Sequence, residues 1–434
     1  MRALRSRHDR EIFRLAVPAL GALAAQPAYV LADTAIVGHL GKAQLAALGV
    51  AATVLGVVGV FNFLQYGTTA QVARASGAGE DETARRLGAQ ALWLSLGLGF
   101  PFAVLVAVLA GPIVSLVGAE GRSAEYAETY LRIVAIGIPS AFVALGGQGF
   151  LRGVGDLRAP LVVLVAANLL NVVLVVVLVY GFDLGIRGSA WGTAVAQTCM
   201  GLTLTVLVLR RIGAGRADAV PALARRLLSV GKFLLVRTAS LIAAFILAGA
   251  VASRAGDPTI GAFQIGFQLW LLLALVLDAI AIAGQIIVGR ALGAGSREEA
   301  YEAGRRMVVL SVALGCVFTL VLLALIDLVP RAFTSDADVL GEARTAWWFL
   351  AAMQPIAGAV FALDGILIGA GDGPYLALSM AIAFVAAGGV LVATLVYGWG
   401  GAGVWSALTV LVVVRFALMW ARFRTRRWLV TGWS

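Results

Sequence analysis

Twelve long apolar runs dominate this sequence. They cover about 12–38, 44–75, 86–117, 126–151, 159–181, 187–210, 226–253, 259–290, 302–328, 342–370, 374–397 and 403–422. A helix needs about 20 apolar residues to cross the hydrocarbon core of a bilayer. In that core every backbone N–H and C=O must find its partner inside the protein, so only helices and closed barrels span it. Barrel strands alternate in polarity over segments of about ten residues, whereas these runs are continuous. The fold class is therefore predicted as an all-α integral membrane protein with twelve transmembrane helices. Several runs exceed the minimum length, which implies tilting or extension beyond the bilayer. Charged residues make up only 13% of the chain, against about 25% in soluble domains.

The placement of those charges sets orientation. A net charge of +10 would suit a nucleic-acid partner, but the basic residues cluster at the ends of apolar runs, as juxtamembrane charges do. With the N-terminus inside, the inner segments hold 24 Lys and Arg and the outer loops hold 6. This bias predicts a multi-pass protein of the cell inner (plasma) membrane with both termini cytoplasmic, and no nucleic-acid partner. The start, MRALRSRHDREIFRLAVPAL, is basic like a signal peptide. No small-residue cleavage site follows, so it reads as a retained first span. Cys199 and Cys316 lie far apart inside apolar runs, a pattern of neither a disulfide framework nor a metal site.

The chain also repeats itself. VARASGAG at 72–79 matches VGRALGAG at 288–295, and QGFLRGVGD at 148–156 matches DGILIGAGD at 364–372, both with a shift of 216. LVYG at 178–181 recurs at 395–398. Six spans per half make this a parallel repeat about an axis along the membrane normal. The predicted division is an N-terminal lobe, 1–210, a basic cytoplasmic inter-lobe loop, 211–226, and a C-terminal lobe, 227–434. Both GAG segments precede acidic residues, as in GAGEDETARR and GAGSREEAYEAGRR. Acidic residues repel phosphate but suit a helix N-terminus, so these segments are read as turns and caps. Ser296 with Glu299 has capping-box spacing.

DTAIVGHLG in span 1, VGRALGAG after span 8 and the two copies of GFLRGVGD resemble the multidrug and toxic compound extrusion (MATE) transporters, in particular their DinF-like branch. The similarity covers nearly the whole chain. It implies a V-shaped pair of six-helix lobes with a central cavity. It also implies export of organic, often cationic or amphiphilic, compounds in exchange for H⁺ or Na⁺.

Charges within spans are costly and mark candidate function. Asp33 lies in span 1 with apolar neighbours on both sides. Burial without a partner disfavours the charged form of a carboxyl group, so such a group is suited to binding and releasing a proton. Asp33 also matches the aspartate that the family uses for cation coupling, and the resemblance ties its protonation to bending of span 1 at a proline. Pro18 and Pro27 both lie in this span, and each removes a backbone hydrogen bond. Tyr29, four residues earlier on the same helix face, is expected to hydrogen-bond Asp33, with Asn168 and Asn171 as further polar partners. The structural alternative is that Asp33 only pairs with Asn168, Asn171 or a buried Arg as packing glue. The family's sodium site often adds a second aspartate in a pattern like N-x-x-x-D. Here the fifth position of that pattern, counted from Asn171, is Val175, and sodium prefers several oxygen ligands, so a proton is favoured over Na⁺.

In the second half, Arg237, Asp278 and Asp364 form a possible polar network or a cation or substrate site. Arg237 and Asp278 lie at a similar depth, roughly 16–18 Å from the inner ends of their helices at 1.5 Å per residue. Asp278 corresponds to Asn62 in the repeat and Asp364 to Gln148. Asn62, Gln65, Gln148, Gln264, Gln268 and Gln285 are possible cavity-lining residues. Phe61, Phe63, Tyr66 and Trp270 are able to stack on a flat cation, with packing as the alternative.

These features describe a secondary antiporter, not an enzyme, working by alternating access as a monomer on small organic substrates within membrane lipid. No cofactor is expected besides the coupling ion, H⁺ or less readily Na⁺. No G-x-x-x-x-G-K-[ST] pattern occurs, so ATP does not drive it directly. The alternative is a lipid or lipid-linked precursor flippase of the same superfamily, which would need a basic cavity for an anionic carrier.

Overall fold

A computed structural model describes residues 7–213 and 220–433, with side chains from residue 9 onward. Part of the expected inter-lobe loop, 214–219, lies outside the described residues, as do Arg2, Arg5 and Arg216.

Among the described residues, sixteen α-helices follow one another: α1 Arg7–Gly38, α2 Lys42–Gly56, α3 Phe63–Gly77, α4 Asp81–Val108, α5 Ala110–Leu116, α6 Gly121–Val134, α7 Ile138–Gly153, α8 Arg158–Val176, α9 Ile186–Ile212, α10 Pro221–Ala255, α11 Asp257–Gly293, α12 Arg297–Ala324, α13 Val329–Phe333, α14 Ala337–Gly369, α15 Gly373–Tyr397 and α16 Gly400–Arg424. Among the described residues, eleven helical stretches are long and apolar enough to cross a membrane, and a bent pair makes a twelfth. The bent pair is α6 with α7, which meet at 54°. The break coincides with Gly137 and Pro139 in AIGIPS. Proline restricts the residue before it and is favoured at a helix start, so the fourth apolar run forms two helices. The second run is continuous as a span but tightens to a 3₁₀ stretch, Val57–Asn62, between α2 and α3. Pro18 and Pro27 lie inside the unbroken α1. Large apolar side chains such as Leu116, Val162, Leu169, Val385 and Val396 are exposed. That surface suits lipid rather than water.

Two compact units emerge. One comprises Gly21–Gly231; the other comprises Met1–Leu20 with Lys232–Ser434. The changes of unit therefore fall inside α1 and α10, whereas the sequence places the division in the basic loop. The start of α1 groups with the second unit through ion pairs. Asp9, 7% exposed, accepts two hydrogen bonds from Arg306, at 2.6 and 2.8 Å. Glu11 lies 3.5 Å from Arg290.

The internal repeat is visible as equivalent contacts. In the first unit, Gly149 and Gly153 of α7 lie against the α3 backbone. A methyl on Gly149 would meet the Gln65 carbonyl oxygen at 2.8 Å, and one on Gly153 the Thr69 oxygen at 3.0 Å. In the second unit, Gly365 and Gly369 of α14 lie in the same way against Ala281 and Gln285 of α11. All four glycines and their four partners are related by the 216-residue shift. Small residues let helix backbones approach this closely in membranes, where packing rather than hydrophobicity drives association.

The GAG segments are turns, as the sequence suggests. Gly79 and Gly295 adopt φ of +76° and +80°. The Glu80 and Ser296 amides donate back to the Ala75 and Ala291 carbonyls, at 3.0 and 2.9 Å, which satisfies carbonyls left open at a helix end. The capping box expected at Ser296 is not formed, because its side chain makes no cap hydrogen bond. Glu82 and Arg86 do pair, at 3.1 Å. Asp156 and its repeat partner Asp372 each bind an arginine in the last turn of a later helix, α9 and α16 respectively. Asp156 accepts from Arg211 at 2.7 Å, and Asp372 from Arg422 at 2.6 Å.

Overpacking of this kind costs about 1–3 kcal/mol. Gly149→Ala and Gly365→Ala are each expected to lower stability by about that amount, read as a fall in the thermal unfolding midpoint of the detergent-solubilised protein. An exposed glycine such as Gly97, with nothing within 4 Å of an added methyl, is the control expected to leave the midpoint unchanged.

Candidate functional site

The first unit encloses a cavity of about 540 Å³. Its walls follow helical periodicity. From α1, Ala22, Gln26, Tyr29 and Asp33 share one face; from α8, Leu164, Asn168 and Asn171; from α9, Thr193, Gln197 and Met200. The α7 side brings Gln148 and Arg152, and α3 with its preceding turn brings Asn62, Gln65 and Tyr66. Three of the six expected cavity residues, Asn62, Gln65 and Gln148, are thus in one wall. Gln65 donates to Gln148 Oε1 at 3.1 Å, which ties α3 to α7. Of the other three, Gln264 and Gln268 are exposed. Gln285 is buried in α11, and its Oε1 has no hydrogen-bond partner among the described residues.

Asp33 is 4% exposed. The sequence expectation for its partners needs correction. Tyr29 does not hold it; the Tyr29 hydroxyl lies 3.2 Å from Thr193 Oγ1 instead. The donor to Asp33 is Ser189, whose hydroxyl reaches Oδ1 at 2.8 Å. Asn171 donates to Thr193 at 3.3 Å, and Asn168 to the Ala25 carbonyl at 2.9 Å. Thr193 is the junction of this group, since the Tyr130 hydroxyl also reaches it, at 3.5 Å. No basic side chain bonds Asp33 among the described residues. Two cavity-lining residues, Asn171 and Gln197, each keep a buried side-chain oxygen that has no hydrogen-bond partner among the described residues.

Ser189, Thr193, Tyr130 and Gln197 were not singled out from sequence. Ser189 and Thr193 do stand four residues apart in GSAWGT, one helical face. Hydroxyls are common at helix contacts in membranes, however, so the pattern carries little signal.

The second unit treats charge differently. Asp364, 3% exposed, receives Arg237 and Arg415 together. Arg237 donates through Nε at 3.2 Å and through its terminal nitrogen, and Arg415 donates to Oδ1. Within the expected network of Arg237, Asp278 and Asp364, Arg237 thus forms a bidentate pair with Asp364. Asp278 is half-buried and within electrostatic reach of Arg415. Arg415 also borders a small apolar cavity of about 40 Å³ lined by Phe245, Trp270, Phe361 and Trp405. The aromatic residues considered for stacking serve mostly as packing. Phe61 lies 4.8 Å from Phe142 and 5.4 Å from Phe102, centroid to centroid, and Trp270 lies 6.2 Å from Phe245.

Comparison with known proteins decides the family. The model of the family described as MatE matches residues 18–177 and 234–397, one segment in each half. The chain belongs to the MatE family. The MATE resemblance seen in the motifs is thus confirmed, and the chain is a multi-pass membrane transporter rather than an enzyme. It is 33% identical to Protein DETOXIFICATION 44, chloroplastic, of Arabidopsis thaliana, over 96% of this chain and 82% of the relative. It is 30% identical to DNA damage-inducible protein F of Escherichia coli K12, over 97% of this chain and 94% of the relative, in keeping with the DinF-like branch. A solved outward-facing multidrug resistance MATE family transporter of the MOP superfamily shares the fold. Its TM-score is 0.85 at 23% identity, covering 98% of each chain.

Removing one partner of a buried ion pair leaves the other charge uncompensated, at about 3–5 kcal/mol. Asp364→Asn in this MATE chain is therefore expected to lower stability by that order, measured as the loss of monodisperse protein on heating in detergent. Replacing Asp364, Arg237 and Arg415 together by apolar residues should restore most of it.

Proposed function

We propose that this MATE transporter exports amphiphilic organic cations in exchange for protons, with Asp33 as the group both compete for. The observation that carries the reading is Asp33 itself, a buried carboxylate on a cavity wall that bonds a neutral hydroxyl and no basic side chain. An intramembrane carboxylate without a cation is unfavourable. A proton neutralises it, and so does a bound cation; both together leave an uncompensated positive charge. Competition for one charge makes binding of substrate and proton mutually exclusive, which is the requirement for exchange. Protonation on the outer side releases the cation, and loss of the proton on the inner side restores the anionic site.

The polar residues on the same cavity wall as Asp33, among them Asn168, Asn171 and Gln197, support an amphiphilic cation as substrate. The printed descriptions of similar proteins also point to drugs, including a probable multidrug resistance protein NorM of Bradyrhizobium diazoefficiens. A proton is favoured over Na⁺ because Val175 is apolar and fully buried, where the family's sodium pattern has a second carboxylate. The clustering of Lys and Arg supports cytoplasmic termini in the plasma membrane. In the second unit the matching of Asp364 by two guanidinium groups supports a structural network over a cation site at that carboxylate.

The test is efflux of a panel of cationic dyes from vesicles carrying the transporter, under imposed H⁺ or Na⁺ gradients. Wild type is expected to export dye down a pH gradient, and Asp33→Asn to fall to the background of empty vesicles. Full pH-driven transport by Asp33→Asn sinks the role of Asp33. A strict need for Na⁺ at fixed pH sinks the proton.

A further inference from the structure

The hydroxyl that holds Asp33 is placed with unusual constraint. Ser189 is fully buried on α9. The residue before it, Gly188, and the one three positions on, Gly192, are glycines pressed against α8 and the π turn that follows it, Val177–Gly181. A methyl on Gly188 would meet the Leu178 carbonyl oxygen at 2.9 Å, and one on Gly192 the Val175 amide nitrogen at 3.1 Å. These contacts pin the backbone of α9 on both sides of Ser189. The serine side chain has a single χ1 choice to make, and its Oγ lies 2.8 Å from Asp33 Oδ1.

A serine hydroxyl is one donor with two acceptor lone pairs. Facing an ionised carboxylate it donates, and a hydrogen bond to the charged form favours that form. Facing a carboxylic acid it turns and accepts. The other groups around Asp33 do not supply this. On α1, Tyr29 is bonded to Thr193. On α6, Tyr130 is directed to Thr193 and Ser189. On α8, Asn171 donates to Thr193 and Val175 is apolar. The two tyrosines are neutral around pH 7, and the charged residue elsewhere on the cavity wall is Arg152 of α7.

We propose that Ser189 is the positioning residue for Asp33. Its hydroxyl orients the carboxylate and sets the pH at which Asp33 exchanges its proton, at a site where Val175 has left no second carboxylate to do so. This inference rests on the reading of Asp33 as the coupling group.

The experiment measures binding of a fluorescent cationic dye to the full-length protein in detergent as a function of pH, with dye and proton competing at Asp33. Without the donor, the carboxyl group holds its proton to higher pH. A hydrogen bond to a charged group contributes about 1.5–3 kcal/mol, and 1.36 kcal/mol corresponds to one pH unit. Ser189→Ala is therefore expected to raise the midpoint of dye binding by about one to two pH units. Ser189→Thr, which keeps the hydroxyl, is expected to return it to near the wild-type midpoint. Ser189→Cys, with a weak donor, falls between. An unmoved midpoint in Ser189→Ala, whether or not the amount of dye bound falls, overturns the role of Ser189. If Asp33→Asn keeps pH-dependent binding, the reading of Asp33 falls first and the proposal with it. If Asp33→Asn loses it while Ser189→Ala matches wild type, Ser189 alone is refuted.

Discussion

A charge buried among membrane-spanning helices is costly unless something nearby offsets it. This transporter meets the requirement in two ways, one in each unit. Asp364 is matched by Arg237 and Arg415, cations that cannot leave. Asp33 is matched by a hydroxyl, which lowers the cost of the charge without cancelling it. The first arrangement is complete, so it rigidifies three helices, α10, α14 and α16. The second leaves the charge without a basic partner among the described residues, which is the feature the proposed exchange draws on. The same residue type is thus structural in one unit and a candidate for chemistry in the other, and the difference is whether its counter-charge is covalently part of the chain.

Much of the architecture was legible in the sequence because hydrophobicity and helical length act locally. The spans, the parallel repeat and the positive-inside pattern require only counting. The break between α6 and α7 was less so: Pro139 was there to be read, but an apolar run on either side of it looks like one helix. Asp33 stood out because a lone carboxylate in an apolar run has few explanations. Its partner did not, since Ser189 is one of many hydroxyls in the spans and only the packing of Gly188 and Gly192 gives it a fixed aim.

Which acid of the expected network Arg237 hydrogen-bonds was not legible, for a simple geometric reason. Counting residues from a helix end gives depth along the membrane normal, and on depth alone Asp278 was a good match. A salt bridge also needs the two side chains to face each other around their helix axes. That angle is set by how α10, α11, α14 and α16 pack, which sequence spacing does not encode. Tyr29 fails for a related reason. It does share the Asp33 face of α1, but Thr193 on α9 competes for its hydroxyl and wins.

The paired glycines have a consequence beyond packing. Gly149 and Gly365 bring their helices to the same close approach in the two units, so the residue just before each, Gln148 or Asp364, is delivered to an equivalent address. In one unit that address holds an amide bonded to another amide; in the other it holds an acid between two bases. Duplication has left two identical sockets, and divergence has changed what is plugged into them. Chemistry at this position can be rewritten one side chain at a time while the scaffold stays as it was.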